Sequence, residues 1–207
     1  AYTGRVLWSA RGEGQEKGFI TRFASMPDGI YAAGRGLCAV YDPATGKEMR
    51  RMRFDGAAGK DKPARAAAVV VSDESVLVAV SAIETVAIEG GLWDADALVC
   101  FDRRSGAQRW QRAAAERFNT KALAIGGGSV FCTDSLSPVA ADAFRRRGQE
   151  KAQCASTVLA LEEQTGKERW RYRYEAPYRA YGADNWMSVR SRDDWLAYCV
   201  SRDQVLA

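Results

Sequence analysis

The chain has 207 residues, 47% of them hydrophobic and 27% charged, which suffices for a buried core and carries no signature of disorder. Its net charge of +4 is mild and the basic residues are mixed with acids, which argues against nucleic acid as a partner. Histidine is absent, so Ser-His-Asp or Cys-His catalysis and His-bound metals are excluded within this chain. No apolar stretch reaches the ~18 residues of a membrane span, and a secretory signal, if the protein is exported, has already been removed.

In chain order, residues 1–8 read as a single strand that carries Thr3-Gly4 and Trp8. Residues 19–26 and 30–33 follow as two strands around Pro27-Asp28-Gly29. The run Leu37-Cys38-Ala39-Val40-Tyr41 shows no alternation, which predicts a strand covered on both faces. It runs into Asp42 and then Thr45-Gly46, where glycine tolerates positive φ and turns the chain, with Arg50 on the outgoing strand.

The pattern then recurs. A hairpin over 66–71 and 76–80 precedes the apolar run 97–101, Asp102, Ser105-Gly106 and Trp110. A third, 122–125 and 130–133 around three glycines, precedes 157–161, Glu162, Thr165-Gly166 and Trp170. A fourth consists of 186–189 and 195–200, and residues 204–207 begin one more strand. Gly46, Gly106 and Gly166 stand sixty residues apart, and Gly4 lies forty-two before Gly46. Such a period predicts an all-β chain, a β-propeller whose blades are four-stranded antiparallel meanders A to D.

The apolar strand, the acidic residue, the Thr-Gly and the Trp after it resemble the quinoprotein-type, PQQ-like propeller repeat over essentially the whole chain. The match is specific at Asp42, Thr45 and Gly46, at Asp102, Gly106 and Trp110, and at Thr165, Gly166 and Trp170. It departs at Arg50, Ser105 and Glu162. The resemblance implies that Trp8, Trp110 and Trp170, with Gly46, Gly106 and Gly166, dock one blade against the next. Arg50 stands where the Trp docks, so a looser joint is expected there unless its guanidinium stacks on a neighbour. Residues 1–207 are expected to form one propeller domain or propeller segment. Four blades closed by residues 1–8, two copies making eight blades, and part of a longer propeller of six to eight blades are the open arrangements, the last being favoured.

Extra length falls in the B–C connections, 81–96 and 135–156, and in the D–A connections 9–18, 54–64 and 173–184, all on one face. Long variable loops on a regular scaffold are where binding is expected. A protein or small anionic ligand is expected there, with Trp93, Arg145, Arg146, Arg147, Tyr178, Tyr181 and Trp186 as candidate contacts. Ser137, Pro138 and Gly148 frame a short helix, whose last turn the three arginines also suit through the helix dipole. The tyrosines and Trp186 read equally as strand and loop packing.

Cys38, Cys100, Cys132 and Cys199 fall in apolar strands as small hydrophobes, whereas Cys154 falls in a loop and is the most reactive candidate. Two functions are compatible with the resemblance. One is a non-catalytic binding or scaffold module of a larger bacterial protein, as in outer-membrane assembly lipoproteins, without cofactor, metal or catalytic residue. The other is a segment of a dehydrogenase holding pyrroloquinoline quinone and calcium. The family's dehydrogenases imply adjacent cysteines, which are absent here, and oxygen ligands, for which Asp94 with Asp96 and Asp184 with Asn185 are candidates. The module, in an extracytoplasmic compartment, is the favoured reading.

Overall fold

The structure, a computed structural model, describes residues 6–9, 22–59, 64–82, 94–135, 146–148, 155–175, 197–199 and 204–206. Strands β1 (Arg22–Met26), β2 (Gly29–Ala33), β3 (Leu37–Tyr41) and β4 (Glu48–Arg53) pair in that order as an antiparallel sheet, the first blade. Then follow β5 (Ala64–Val71), β6 (Ser75–Ala82), β7 (Asp94–Asp102), β8 (Gln108–Gly126), β9 (Ser129–Ser135), β10 (Ala155–Glu162) and β11 (Glu168–Glu175). These seven pair consecutively in one sheet. A short pair, β12 (Ala197–Cys199) and β13 (Gln204–Leu206), matches the start of a further unit. The architecture is all-β and antiparallel, that of β-propeller blades.

Second and third blades are therefore not separate meanders as the repeat suggested, because one strand serves both. The first part of β8 pairs with β7 as strand D, and its last part pairs with β9 as strand A. Between them the register jumps, from Ala97 opposite Ala113 to Ala95 opposite Phe118. Asp134, at the end of β9, pins the displaced backbone: its carboxylate accepts the N–H groups of Ala115, Glu116 and Arg117 at 2.7, 2.9 and 3.0 Å. Bulges of this kind turn a strand without ending it.

The core lies in layers between blades. Along β6 and β7 alternate residues face opposite ways, as the period of two requires. Val76, Val78, Val80, Val99 and Phe101 pack toward the first blade, with Tyr31, Val40, Met52 and Phe54. Leu77, Leu98 and Cys100 pack the other way, with Trp110, Leu123, Val130 and Leu161. Both faces of the second blade are thus covered, which is why its strands carry unbroken apolar runs.

Val6–Ser9 are described outside any strand, so the strand expected over 1–8 is not present in that described part. Of the helix expected around 137–147, only Arg146 to Gly148 are described: one helical residue, then a turn, with Gly148 at φ 72°.

Candidate functional site

Each C–D turn shares two hydrogen bonds, from the Thr or Ser hydroxyl to the acidic side chain and from the glycine N–H to that residue's carbonyl. The Asp42 carboxylate accepts the N–H groups of Ala44 and Thr45 and the Thr45 hydroxyl. Asp102 accepts the N–H and hydroxyl of Ser105, so the serine preserves the threonine's role. At the third turn Thr165 donates its hydroxyl to the longer Glu162. Hydrogen bonds from the Thr45 and Ser105 backbones are the main reason Asp42 and Asp102 ionise well below the usual carboxylate range. The glycine ends each turn at positive φ: 70° at Gly46, 76° at Gly106 and 69° at Gly166.

Those glycines also form the seats of the blade joints. The Trp8 ring lies on Gly46, where a Cβ would come within 2.5 Å of it, and Trp110 lies on Gly166, where a Cβ would come within 2.6 Å. In both cases the indole N–H donates to the backbone carbonyl three residues before the glycine, Pro43 at 2.9 Å and Glu163 at 2.8 Å. Arg50 occupies the joint between these two. Its methylenes lie on Gly106, and its guanidinium donates to the Arg103 carbonyl, again three residues before the glycine. The arginine thus takes over the indole's donor without its bulk. Trp170 is 45% exposed, 6.1 Å from the ring of Phe131 in its own blade, and meets no glycine seat among the described residues.

Beside the joints runs a polar chain that the sequence did not reveal. Arg103, almost fully buried, donates to Asp28, to the Tyr31 hydroxyl at 3.0 Å and to the Ser72 carbonyl at 2.6 Å. The Ser72 hydroxyl donates in turn to buried Glu163 at 2.6 Å. Three blades are thereby linked through side chains on the face of the tight turns. The hydrogen bond from Arg103 is the largest cause holding the Asp28 carboxyl below its ordinary range. Two shallow polar cavities open on the same face. One, of about 230 Å³, is lined by Asp28, Arg50, Asp73, Arg103 and Arg104; the other, of about 250 Å³, by Glu74, Asp102, Arg104 and Arg109.

Residues 39–178 and, overlapping them, 95–202 match the PQQ-like repeat model described as outer membrane protein assembly factor BamB. The chain belongs to this family. Among solved structures, BamB from Moraxella catarrhalis is similar at 16% identity and a TM-score of 0.42, covering 73% of this chain and 35% of that one. The Dos1 propeller is similar at 14% identity and a TM-score of 0.47, covering 74% and 36%. The chain spans about a third of the length of these two structures. Comparison with curated proteins finds no match.

On the opposite face, where the family repeat carries its long connections here, most of the expected contacts lie outside the described residues: Trp93, Arg145, Tyr178, Tyr181 and Trp186. Arg146 and Arg147 are described and exposed. What is described is the base of those loops. The Ser81 hydroxyl donates to the Asp94 carbonyl, and the Asp96 carboxylate accepts the Ala82 N–H at 2.7 Å and pairs with Arg117. Asp96 is therefore engaged, and among the described residues no three Asp, Glu or Cys side chains converge as a metal ion would need. Among the described residues Asp94 and Asp96 bring fewer oxygens together than the six to eight that calcium takes. Asp184 and Asn185 lie outside the described residues. No described helix is long and apolar enough to cross a membrane.

The described cysteines are packing groups. Burial pushes the Cys38 and Cys132 thiols up to about 12 and Cys100 to about 11, far from a reactive thiolate at neutral pH. Cys154 lies outside the described residues.

Proposed function

We infer that the chain is a non-catalytic binding or scaffold module of a PQQ-like β-propeller within a larger bacterial protein, working outside the cytoplasm. The observation that carries this reading is where the polar side chains go: Arg50, Arg103, Ser72, Glu163 and Asp134 are engaged in holding blades together. Family membership, with its description as an outer membrane assembly factor, supports both the module and the compartment. A partner of mixed polar and aromatic surface suits the face of the long connections, whose described bases are held by hydrogen bonds.

Reconstitution with pyrroloquinoline quinone and calcium tests it. The expected result is no retained quinone after gel filtration and no dye reduction with alcohols or sugars; dye reduction would replace the module by a dehydrogenase segment. A second construction, residues 137–153 replaced by a short glycine-containing turn, is expected to keep cooperative unfolding and weaken partner binding. Loss of folding would make that insertion part of the core.

A further inference from the structure

The sequence contains two Asp-Gly pairs, Asp28-Gly29 and Asp55-Gly56. Such a pair can close on itself, because glycine has no side chain to shield its amide nitrogen from the carboxyl group beside it. Both aspartates are exposed, so accessibility does not separate them. Engagement does. Asp28 holds the Arg103 guanidinium and accepts the Tyr31 hydroxyl at 2.8 Å, and Gly29 is paired with Met26 in the first hairpin. Arg103 also holds the Asp28 carboxyl below its ordinary range, in the ionised form that gives up an oxygen least readily. Asp55 has Arg53 beside it at 3.6 Å, an exposed ion pair longer than a hydrogen bond. The Gly56 N–H makes no hydrogen bond among the described residues, and no atom beyond its chain neighbours lies within 4 Å of where a Cβ would stand.

We propose that Asp55-Gly56 is a site of spontaneous isoaspartate formation, a self-modification that needs water and no other co-reactant. The Gly56 nitrogen bonds to the side-chain carboxyl carbon of Asp55; its proton and a carboxyl oxygen depart as water, closing a five-membered imide. Water then opens the ring. Attack at the main-chain carbonyl breaks its bond to the Gly56 nitrogen, so the chain runs through the side-chain carbonyl, one methylene longer, with the α-carboxyl left free. Attack at the other carbonyl restores aspartate, and neither route changes any oxidation state. The extra methylene falls at a sensitive place. Phe54 and Ala57 both belong to the core between the first two blades, and the Ala57 N–H donates to the Phe54 carbonyl at 3.1 Å. Gly56 is third in that turn, at φ 79°. Lengthening the backbone between Phe54 and Ala57 breaks the turn and displaces the Ala57 carbonyl, to which Gln111 of the second blade donates at 3.2 Å. The modification therefore loosens the joint at which Arg50 replaces a ring.

The 207-residue chain, aged at neutral pH, is labelled with protein isoaspartyl methyltransferase and cut after lysine and arginine, which puts the two pairs in separate peptides, residues 23–35 and 54–60. Label is expected in 54–60 and on the order of ten-fold less in 23–35, because Asp28 must first break a hydrogen bond to a charged group. In urea, where Arg103 no longer holds Asp28, the difference should vanish. Asp55→Glu, whose ring would be six-membered, should carry no label in 54–60. Its midpoint of chemical unfolding should hold on ageing while that of the wild type falls. Equal labelling of the two peptides in the folded protein would overturn the proposal, as would a difference of the same size in urea, which would trace to flanking residues. An equal fall in midpoint for Asp55→Glu would overturn the effect on the joint.

Discussion

The joint between the first and second blades and the joint between the second and third perform one task with different chemistry. At the second, Trp110 is 8% exposed, seals the layer and gives its N–H to Glu163. At the first, Arg50 gives an equivalent hydrogen bond to Arg103, leaves a cavity of about 230 Å³ beside it, and is reinforced by the Arg103 and Asp28 ion pair. What the repeat keeps is a donor for a carbonyl whose position the turn sets. Apolar bulk is the variable part, and a charged latch replaces it.

The largest test of that difference is removal of the ring. Trp110→Ala should lower the unfolding free energy by about 3–5 kcal/mol, measured by chemical denaturation, because a buried aromatic leaves both a cavity and an unpaired carbonyl. Arg50→Ala should cost only about 1–2 kcal/mol, mostly the lost hydrogen bond. Equal losses would mean that the two joints do not differ in the way described.

Next come the seats. An added Cβ at Gly166 meets the Trp110 ring at 2.6 Å, whereas at Gly106 it meets a flexible methylene of Arg50 at 2.7 Å. Both alanines carry about 1–2 kcal/mol of left-handed strain. The rigid ring adds overpacking, so Gly166→Ala should cost about 3 kcal/mol in all and Gly106→Ala no more than the strain. Denaturation midpoints of the two variants, side by side, give the answer.

Third is the latch. Arg103→Met should cost about 2 kcal/mol, the value of hydrogen bonds to a charged group. It should also change the response to acid. Asp28 has a depressed carboxyl in the fold, so its contribution is complete above the ordinary carboxylate range near pH ~4 and is lost as pH falls through the lowered value. Wild type should therefore lose more stability than Arg103→Met between neutral pH and pH ~3, and parallel acid limbs would dissociate Asp28 from the latch.

The smallest effect should be Arg50→Trp. Restoring the ring fills the cavity but gives up nothing at the shared carbonyl, and a change within about 1 kcal/mol on the stabilising side is expected from calorimetry. A clear destabilisation would show that the first joint has adapted its backbone to arginine.

Much of this was legible from residue order. The apolar runs at 37–41 and 97–101 became fully buried strands, and the glycines of the Thr-Gly turns took positive φ where the turns required it. Less legible was β8, since nothing in Arg112 to Asn119 marks a strand that passes from one blade to the next. The signal sits at Asp134, seventeen to nineteen residues away, whose carboxylate is needed by three amides in the crossing.

The sequence by itself determined the repeat, the strand order within each blade and the turns, because these depend on residues within a few positions of one another. Only the tertiary structure decided that Arg50 would do an indole's work, and that Arg103 would reach Asp28 across 75 residues and Ser72 would reach Glu163 across 91. Those outcomes turn on which side chain claims a shared partner first, and that competition exists only once the blades are stacked.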